Sequence, residues 1–456
     1  MRRVSKFLSP LFVCALAVLG VQAQASRNVR VDFKETTLKN GLRVITVEDH
    51  SAPVIALSIT YNVGSRNERK GRTGFAHLFE HMMFKGSANV GTGEHFMLVF
   101  NNGGSMNGTT NEDRTNYFEI LPSNQLDLAL FLEADRMKSL EITKANLDNQ
   151  RNAVQEERRL GVDNQPYGKS NELQQELIYD NFAYKHSVIG SMEDLSAATV
   201  EDVAEFFKMY YAPNNAVLVL VGDFKTADAL AKIKANFESI PRQPDPPAVD
   251  MTEAQQKEER RAKLDDVLAR AARVDIAYKA VQGNTPDFYA LQVLANILQS
   301  GQSSRLYQKL VKEKEMVTGV GGFMDEKRGI GAFYTNATLR PGSSNTDEVE
   351  KIIYAEIDRL KKEPIADWEL QKAKNNTRRN LINGLQSSIS RAISLGQYTV
   401  YYNEPGLINA RLDKVAAVTK EDVQRVANKY LVDTSRTVVV TLPQAKPKSA
   451  AGATGQ

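Results

Sequence analysis

Thr199-Val-Glu-Asp-Val203, then Tyr210, then the run Ala216 to Val221 (AVLVLV) close the first half of this sequence. The same signals return 220 residues later as Thr419-Lys-Glu-Asp-Val423, Tyr430 and Arg436 to Thr441 (RTVVVT). The shift also carries Arg158-Arg159 onto Arg378-Arg379, and the strand-like VIALSITYNV starting at Val54 onto VDIAYKAV starting at Val274. Several separate anchors at one offset indicate a duplicated unit. Each copy reads as strand, helix, strands, helices, strand. Thr199 is an N-cap with Asp202 three residues on. Gly41 to Glu48, Val54 to Val63, Tyr117 to Leu121 and Ala216 to Val221 are β-branched and aromatic runs bounded by turn formers. Leu126 to Leu140 and Lys144 to Gly161 carry helical apolar spacing. Helices cluster between strand runs instead of alternating singly with them. The expected fold is therefore α+β, with two homologous α/β-sandwich domains, each a sheet flanked by helices.

Working outward, PRQPDPP (residues 241–247) places four prolines in seven positions and marks a stiff connector between the copies. The expected organisation is a first domain over 29–240, a linker over 241–263, a second domain over 264–443 and a disordered tail over 444–456. Residues 1–25 (MRRVSKFLSPLFVCALAVLGVQAQA) have a basic start, a short apolar run and Ala23-Gln24-Ala25, the design of a secretory signal. The apolar run is short for a membrane span. An exported, most simply periplasmic, mature protein without a membrane anchor is expected. Arg2, Arg3 and Lys6 account for the whole formal excess of +3, and Cys14 is the single cysteine. Without the signal the chain is neutral and free of cysteine, so neither a disulfide framework nor a cysteine-rich metal cluster is available to it. A neutral chain with no basic patch also argues against nucleic acid as a partner.

All five histidines (His50, His77, His81, His95 and His186) fall in the first half. In Gly74-Phe-Ala-His-Leu-Phe-Glu-His-Met-Met-Phe84, His77 and His81 are spaced i, i+4 with Glu80 between them. On a helix these three share one face, so two imidazoles converge on one ion. The bland alternative is an ordinary solvated helix face. A hydrolytic zinc site takes three protein ligands and keeps one open position. His50 and His95 read as loop residues and are poor third ligands. Asn149 to Arg159 offers Glu156 or Glu157 from a second helix, and pattern alone does not choose between them.

The inverted zinc motif, Phe84-Lys-Gly-Ser87, Gly103-Gly-Ser-Met-Asn107 and Val154-x-x-Glu157-Arg-Arg together resemble the pitrilysin or insulinase-type metallopeptidases, in the short two-domain form of the processing peptidases. The resemblance implies one Zn2+ per chain on His77, His81 and Glu157, with Glu80 as general base. It implies peptide substrates bound along the strand after Gly103, with Asn107 near the substrate main chain; Phe79 would line an apolar subsite or sit in the helix core. It also implies paired chains enclosing a chamber. Gln150 stands where such proteins often have a supporting glutamate. The second copy has no histidine, and Val311 and Thr318 occupy the positions of the substrate-contacting arginine and tyrosine. A zinc-less paralogue supplying that half-site in a heterodimer is the expected partner. Two other readings remain: a non-catalytic structural subunit of the same family, and a zinc-binding periplasmic protein with no use for Glu80.

Overall fold

Two runs, Val54–Tyr61 (VIALSITY) and Ala216–Gly222 (AVLVLVG), are buried along almost their whole length, which requires both faces of their sheet to be covered. A computed structural model describes residues 30–444 and shows what covers them. Residues 1–25, read as an export signal, and all of the tail but Gln444 lie outside the described residues.

The first sheet contains β1 (Lys34–Thr37), β2 (Arg43–Glu48), β3 (Val54–Tyr61), β4 (Ser105–Thr110), β5 (Thr115–Pro122) and β6 (Ala216–Gly222) in the order β1-β2-β6-β3-β5-β4. The second contains β7 (Arg260–Asp266), β8 (Arg273–Gln282), β9 (Val317–Met324), β10 (Ile330–Leu339) and β11 (Arg436–Pro443) in the order β7-β11-β8-β10-β9. Without β1 the two orders are identical. So are the directions: β2 runs parallel to β6 and β7 parallel to β11, and the other pairs are antiparallel. The helices that begin at Thr199 and Thr419 both carry the expected capping box, closed by Asp202 and Asp422. The duplicated α/β-sandwich fold is present.

The covering layers are exchanged between the copies. One face of the first sheet packs on its own helices. Its other face, with Ile45, Val217 and Val219, packs on Ala392, Leu395 and Tyr398 of the helix Ser388–Tyr402 from the second half. Gly396 permits this approach, since a Cβ there would stand 2.4 Å from Thr60 Oγ1. Reciprocally, the first-half segment with Ile178, Tyr179 and Tyr184 packs on Ala277 and Ala332 of the second sheet.

Three sequence expectations need correction. β7 starts at Arg260, inside the stretch read as linker; it alternates charged residues with Ala262 and Leu264 as an edge strand does, and pairs in parallel with β11. His95 is not in a loop but in a helix, Glu94–Asn101, opened by Gly93 in the left-handed conformation at φ 76°. Phe79 is core and not a subsite wall: it is 1% exposed, its ring stacks on Phe207 and it packs at a tilt against Phe206 and Tyr211. No helix among the described residues is long and apolar enough to cross a membrane.

Candidate functional site

Two helices and one strand edge build the site. α1 (Phe75–Met82) carries His77, Glu80 and His81 and buries Leu78, Phe79 and Met82 against the first core. α2 is the helix Glu94–Asn101, and α3 spans Leu126–Ser139. α4 (Lys144–Arg158), N-capped by Thr143, ends on Glu157 and Arg158 beside α1. The edge strand β4 passes the same end of α1.

His77 Nε2 and His81 Nε2 lie 3.7 Å and 3.4 Å from Glu157 Oε2. Each of the three residues offers a donor atom within 4.8 Å of the others. Donors at about 2.0–2.2 Å from a tetrahedral ion are separated by roughly 3.3–3.5 Å, so two nitrogens and one oxygen spaced in this way fit zinc. The alternative carboxylate, Glu156, faces away and pairs with Arg159 at 3.0 Å. Gln150 on α4 is buried, donates to Asn149 Oδ1 at 2.6 Å and acts on the His81 ring through a neutral amide where a glutamate would bring charge.

Burial, helped by the His81 charge, lowers the His77 pKa to about 4. Burial also lowers that of His81, against the opposing pull of Glu157. His77 is therefore held in the neutral, ligating form at mildly acidic pH, and His81 is shifted the same way. For two free imidazoles, proton competition would weaken zinc binding roughly 15-fold between pH 8 and pH 6. Here His77 adds no such competition, so the loss should stay below about fourfold, measured by chelator competition at the two pH values.

Glu80 turns to β4. It accepts a 2.6 Å hydrogen bond from Thr110 Oγ1. Burial, with the Glu157 charge adding to it, raises its pKa to about 7, against the lowering effect of Thr110. Room for this carboxylate comes from Gly108, where a Cβ would sit 2.9 Å from Glu80 Cγ and Oε1. Neither Gly108 nor Thr110 was identified from sequence; a strand glycine marks close approach, but what approaches is a tertiary matter. Gly108→Ala should leave the edge strand folded and displace Glu80, lowering kcat about 100-fold, the cost of a displacement near 1 Å. A variant within threefold of wild type in a peptide-cleavage assay would contradict this placement.

Asn107 is exposed on β4, and period-two alternation puts it on the face opposite Gly108 and Thr110. Of the other histidines, His50 bonds Asp223 at 2.6 Å on the surface. In the second half Arg305 is held by both oxygens of Glu369, and Thr318 bonds the Thr338 carbonyl. Neither Val311 nor Thr318 offers the chemistry of an arginine and tyrosine pair.

A second cluster, His95 of α2, Glu119 of β5 and Glu133 of α3, is buried one layer away. Here the carboxylate of Glu133 is already taken at both oxygens by the fully buried Arg136, whose guanidinium lies 4.5 Å over the Tyr117 ring. Two carboxylates against one guanidinium leave a single negative charge, which one proton cancels. Burial and the Glu133 charge push Glu119 well up, so the proton rests there; burial and Arg136 hold His95 neutral, down at about 2. A divalent ion would instead leave a net positive charge beside Arg136 in apolar surroundings, which is costly. This cluster is structural.

The comparisons with known proteins agree with the geometry. Residues 43–189 match the family model described as insulinase (peptidase family M16), and residues 197–377 match the one described as peptidase M16 inactive domain. The chain is 32% identical over 431 residues to the zinc protease PqqE of Helicobacter pylori, covering 94% of this chain and 96% of that protein. It is 24% identical to a probable mitochondrial-processing peptidase subunit beta of Arabidopsis thaliana, over 88% of this chain and 77% of that one. The crystal structure of a protease from Helicobacter pylori superposes with a TM-score of 0.87 at 31% identity, covering 91% of this chain and 100% of that one. With His77, His81 and Glu157 gathered on α1 and α4 and both halves matched, the chain belongs to peptidase family M16, the insulinase family.

Proposed function

We propose that the chain is an exported zinc metalloendopeptidase that hydrolyses peptides or unfolded segments, with Glu80 as general base. The observation that carries this reading is the convergence of His77 Nε2, His81 Nε2 and Glu157 Oε2 beside a buried carboxylate that does not join them. One Zn2+ held by the three would supply Lewis-acid activation of water and of the scissile carbonyl. Glu80, a carboxylate beside the three ligands and not one of them, would take the proton of the attacking water and return it to the leaving amine. Thr110 fixes the carboxylate through Oε2. β4 lies at the edge of its sheet, so its outward N–H and C=O groups are available to an extended peptide main chain. Pairing through the backbone gives affinity with little sequence preference, and Asn107 would contact the main chain from this strand.

The second half supplies no metal ligand in this scheme. A paired chain, either a second copy or a zinc-less paralogue, would contribute the missing half-site and close a chamber around the substrate. The likeness to a protein named as a subunit supports pairing. Residues 1–25 support export to a periplasm.

The test is direct. The mature chain should bind one zinc and cleave unstructured peptides, alone or with a paralogue, and a chelator should abolish cleavage. A chain that binds zinc yet never cleaves would favour a zinc-binding protein. One that does neither would favour a structural subunit.

A further inference from the structure

α1 has no side-chain cap of its own. Its N-cap is Gly74, at φ 85°, which has no side-chain oxygen to offer the free N–H groups of the first turn. The acceptor comes instead from Glu68, six residues upstream and fully buried. Its Oε2 accepts from Gly74 N at 2.9 Å and its Oε1 from Ala76 N at 2.8 Å. Glu68 Oε2 is also 2.9 Å from His186 Nε2, and His186 Nδ1 is 2.8 Å from the Phe182 carbonyl oxygen. The Phe182 carbonyl can only accept, so Nδ1 donates to it, and Nε2 shares a proton with Glu68 Oε2. Burial opposes charge on both partners and raises the Glu68 pKa, while the Glu68 carboxylate raises that of His186 against its own burial. The ring is further fixed by stacking on Phe182, with centroids 4.4 Å apart.

The segment around His186 touches both ligand helices. A Cβ on Gly190 would stand 2.4 Å from Gly74 N and the Thr73 carbonyl, so the chain at Gly190 lies directly on the entry to α1. Thr73 is tied in turn to Asp194, at 2.9 Å through its N–H and 2.6 Å through its hydroxyl. From the other side Arg158, the last residue of α4, donates to the Gly190 carbonyl at 2.7 Å and to Glu172 Oε1 at 2.6 Å. His77 is the third residue of α1 and Glu157 directly precedes Arg158. One segment therefore sets the start of the helix with two ligands against the end of the helix with the third.

We infer that Glu68 and His186 are positioning residues of the metal site, a buried carboxyl–imidazole clamp that fixes α1 relative to α4. The inference rests on the metal-site reading for its purpose, but not for its test. The carboxyl oxygens at the first turn meet the positive end of the helix, and the hydrogen bond with His186 offsets part of the cost of burying them. Removing the clamp leaves the core under α1 intact and lets the first turn open.

Amide hydrogen exchange of the full chain decides the matter, with and without zinc. Glu68→Gln should speed exchange in residues 75–82 by about fivefold to thirtyfold, the scale of a lost helix cap. Zinc release to a chelator should quicken by a similar factor, and kcat should fall with KM unchanged. Leu294→Ala, in the core of the second half, serves as control. It should lower the thermal midpoint and leave α1 exchange and zinc release within twofold of wild type. Should Glu68→Gln not fold, His186→Gln keeps the carboxylate with its two N–H bonds and should change the same readouts in the same direction by a smaller factor. A folded variant with unchanged α1 exchange, or a control that reproduces the effect, overturns the clamp. A wild-type chain that binds no zinc overturns the metal-site reading instead, and the exchange data from the metal-free chain still judge the clamp.

Discussion

Replacing Glu80 with glutamine is expected to leave one zinc per chain and to lower kcat by about 10²- to 10⁴-fold. The two halves of this expectation come from different parts of the site. Zinc content depends on His77, His81 and Glu157, and the Glu80 carboxylate is not among the converging donors. Turnover depends on proton transfer, which an amide cannot perform. The substitution is nearly isosteric, and the amide oxygen can still accept from Thr110 Oγ1, so the position of the side chain should be kept. A stability signature should accompany the loss. Burial raises the Glu80 pKa from an ordinary carboxylate value to about 7. The metal-free folded chain then holds a proton that the unfolded chain gives up, and stability falls as pH rises from about 4.5 through 7. Glutamine removes that decline. Metal-free Glu80→Gln should therefore be more stable than wild type at pH 8, by an amount on the order of 1–3 kcal/mol, and should approach it near pH 5. Zinc analysis, steady-state peptide cleavage and denaturant unfolding at the two pH values check the three parts. Near-normal turnover would remove Glu80 from the chemistry, and loss of zinc would make it a ligand.

The legible parts of this molecule are those whose physics is local or periodic. β3 and β6 read as strands because burial on two faces leaves almost continuous apolar runs. The helices after Thr199 and Thr419 were visible through their capping boxes, and His77 and His81 through the pitch of a helix. Glu157 needed more: the two glutamates at the end of α4 differ only in which side of the helix they take, and resemblance to a family chose the one that faces His81. Features set by distant chain segments were not legible. α2 was missed because it opens on a left-handed glycine, without the polar cap that marks a helix start. Glu68 and His186 are 118 positions apart, and nothing at either residue names the other. The exchange of covering helices between the halves has the same character. Duplication predicts two similar sheets, but it does not say that the helix at Ser388–Tyr402 lies on the first sheet instead of the second. Gly396 and Gly108 are local traces of such contacts, and a glycine reports that something comes close without saying what.

The largest stability effect is expected at Arg136, which takes no part in the proposed chemistry. Arg136→Met keeps an unbranched apolar stem but removes the guanidinium that lies over Phe84 and Tyr117. Glu133 and Glu119 are then left in the core with no positive charge beside them. Breaking a buried pair from one side costs about 3–5 kcal/mol, because the remaining charge cannot recover its hydration. The lost cation–π contact adds up to about 2 kcal/mol. A total of that size is a large share of the stability of an ordinary domain, so the variant should unfold at much lower denaturant or fail to accumulate folded. Changing the acids should act differently. Glu119→Gln replaces a carboxyl group that burial already keeps protonated and should cost less than about 1 kcal/mol. Adding Glu133→Gln to Arg136→Met should restore a large part of the loss, since the stranded charge goes with it. The sign of the pH dependence follows from burial, which raises the pKa of Glu133 even with Arg136 opposing it, and raises it further without Arg136. In the variant the folded chain gains stability as pH falls and Glu133 takes up a proton, so its deficit against wild type should be greatest near pH 8 and smaller at pH 5.5. Denaturant unfolding of the three variants at those two pH values would measure it. A deficit within 1 kcal/mol of zero at pH 8 would mean that the Glu133 charge escapes to solvent or a proton without Arg136, and that the cluster beneath the metal site is held by packing alone.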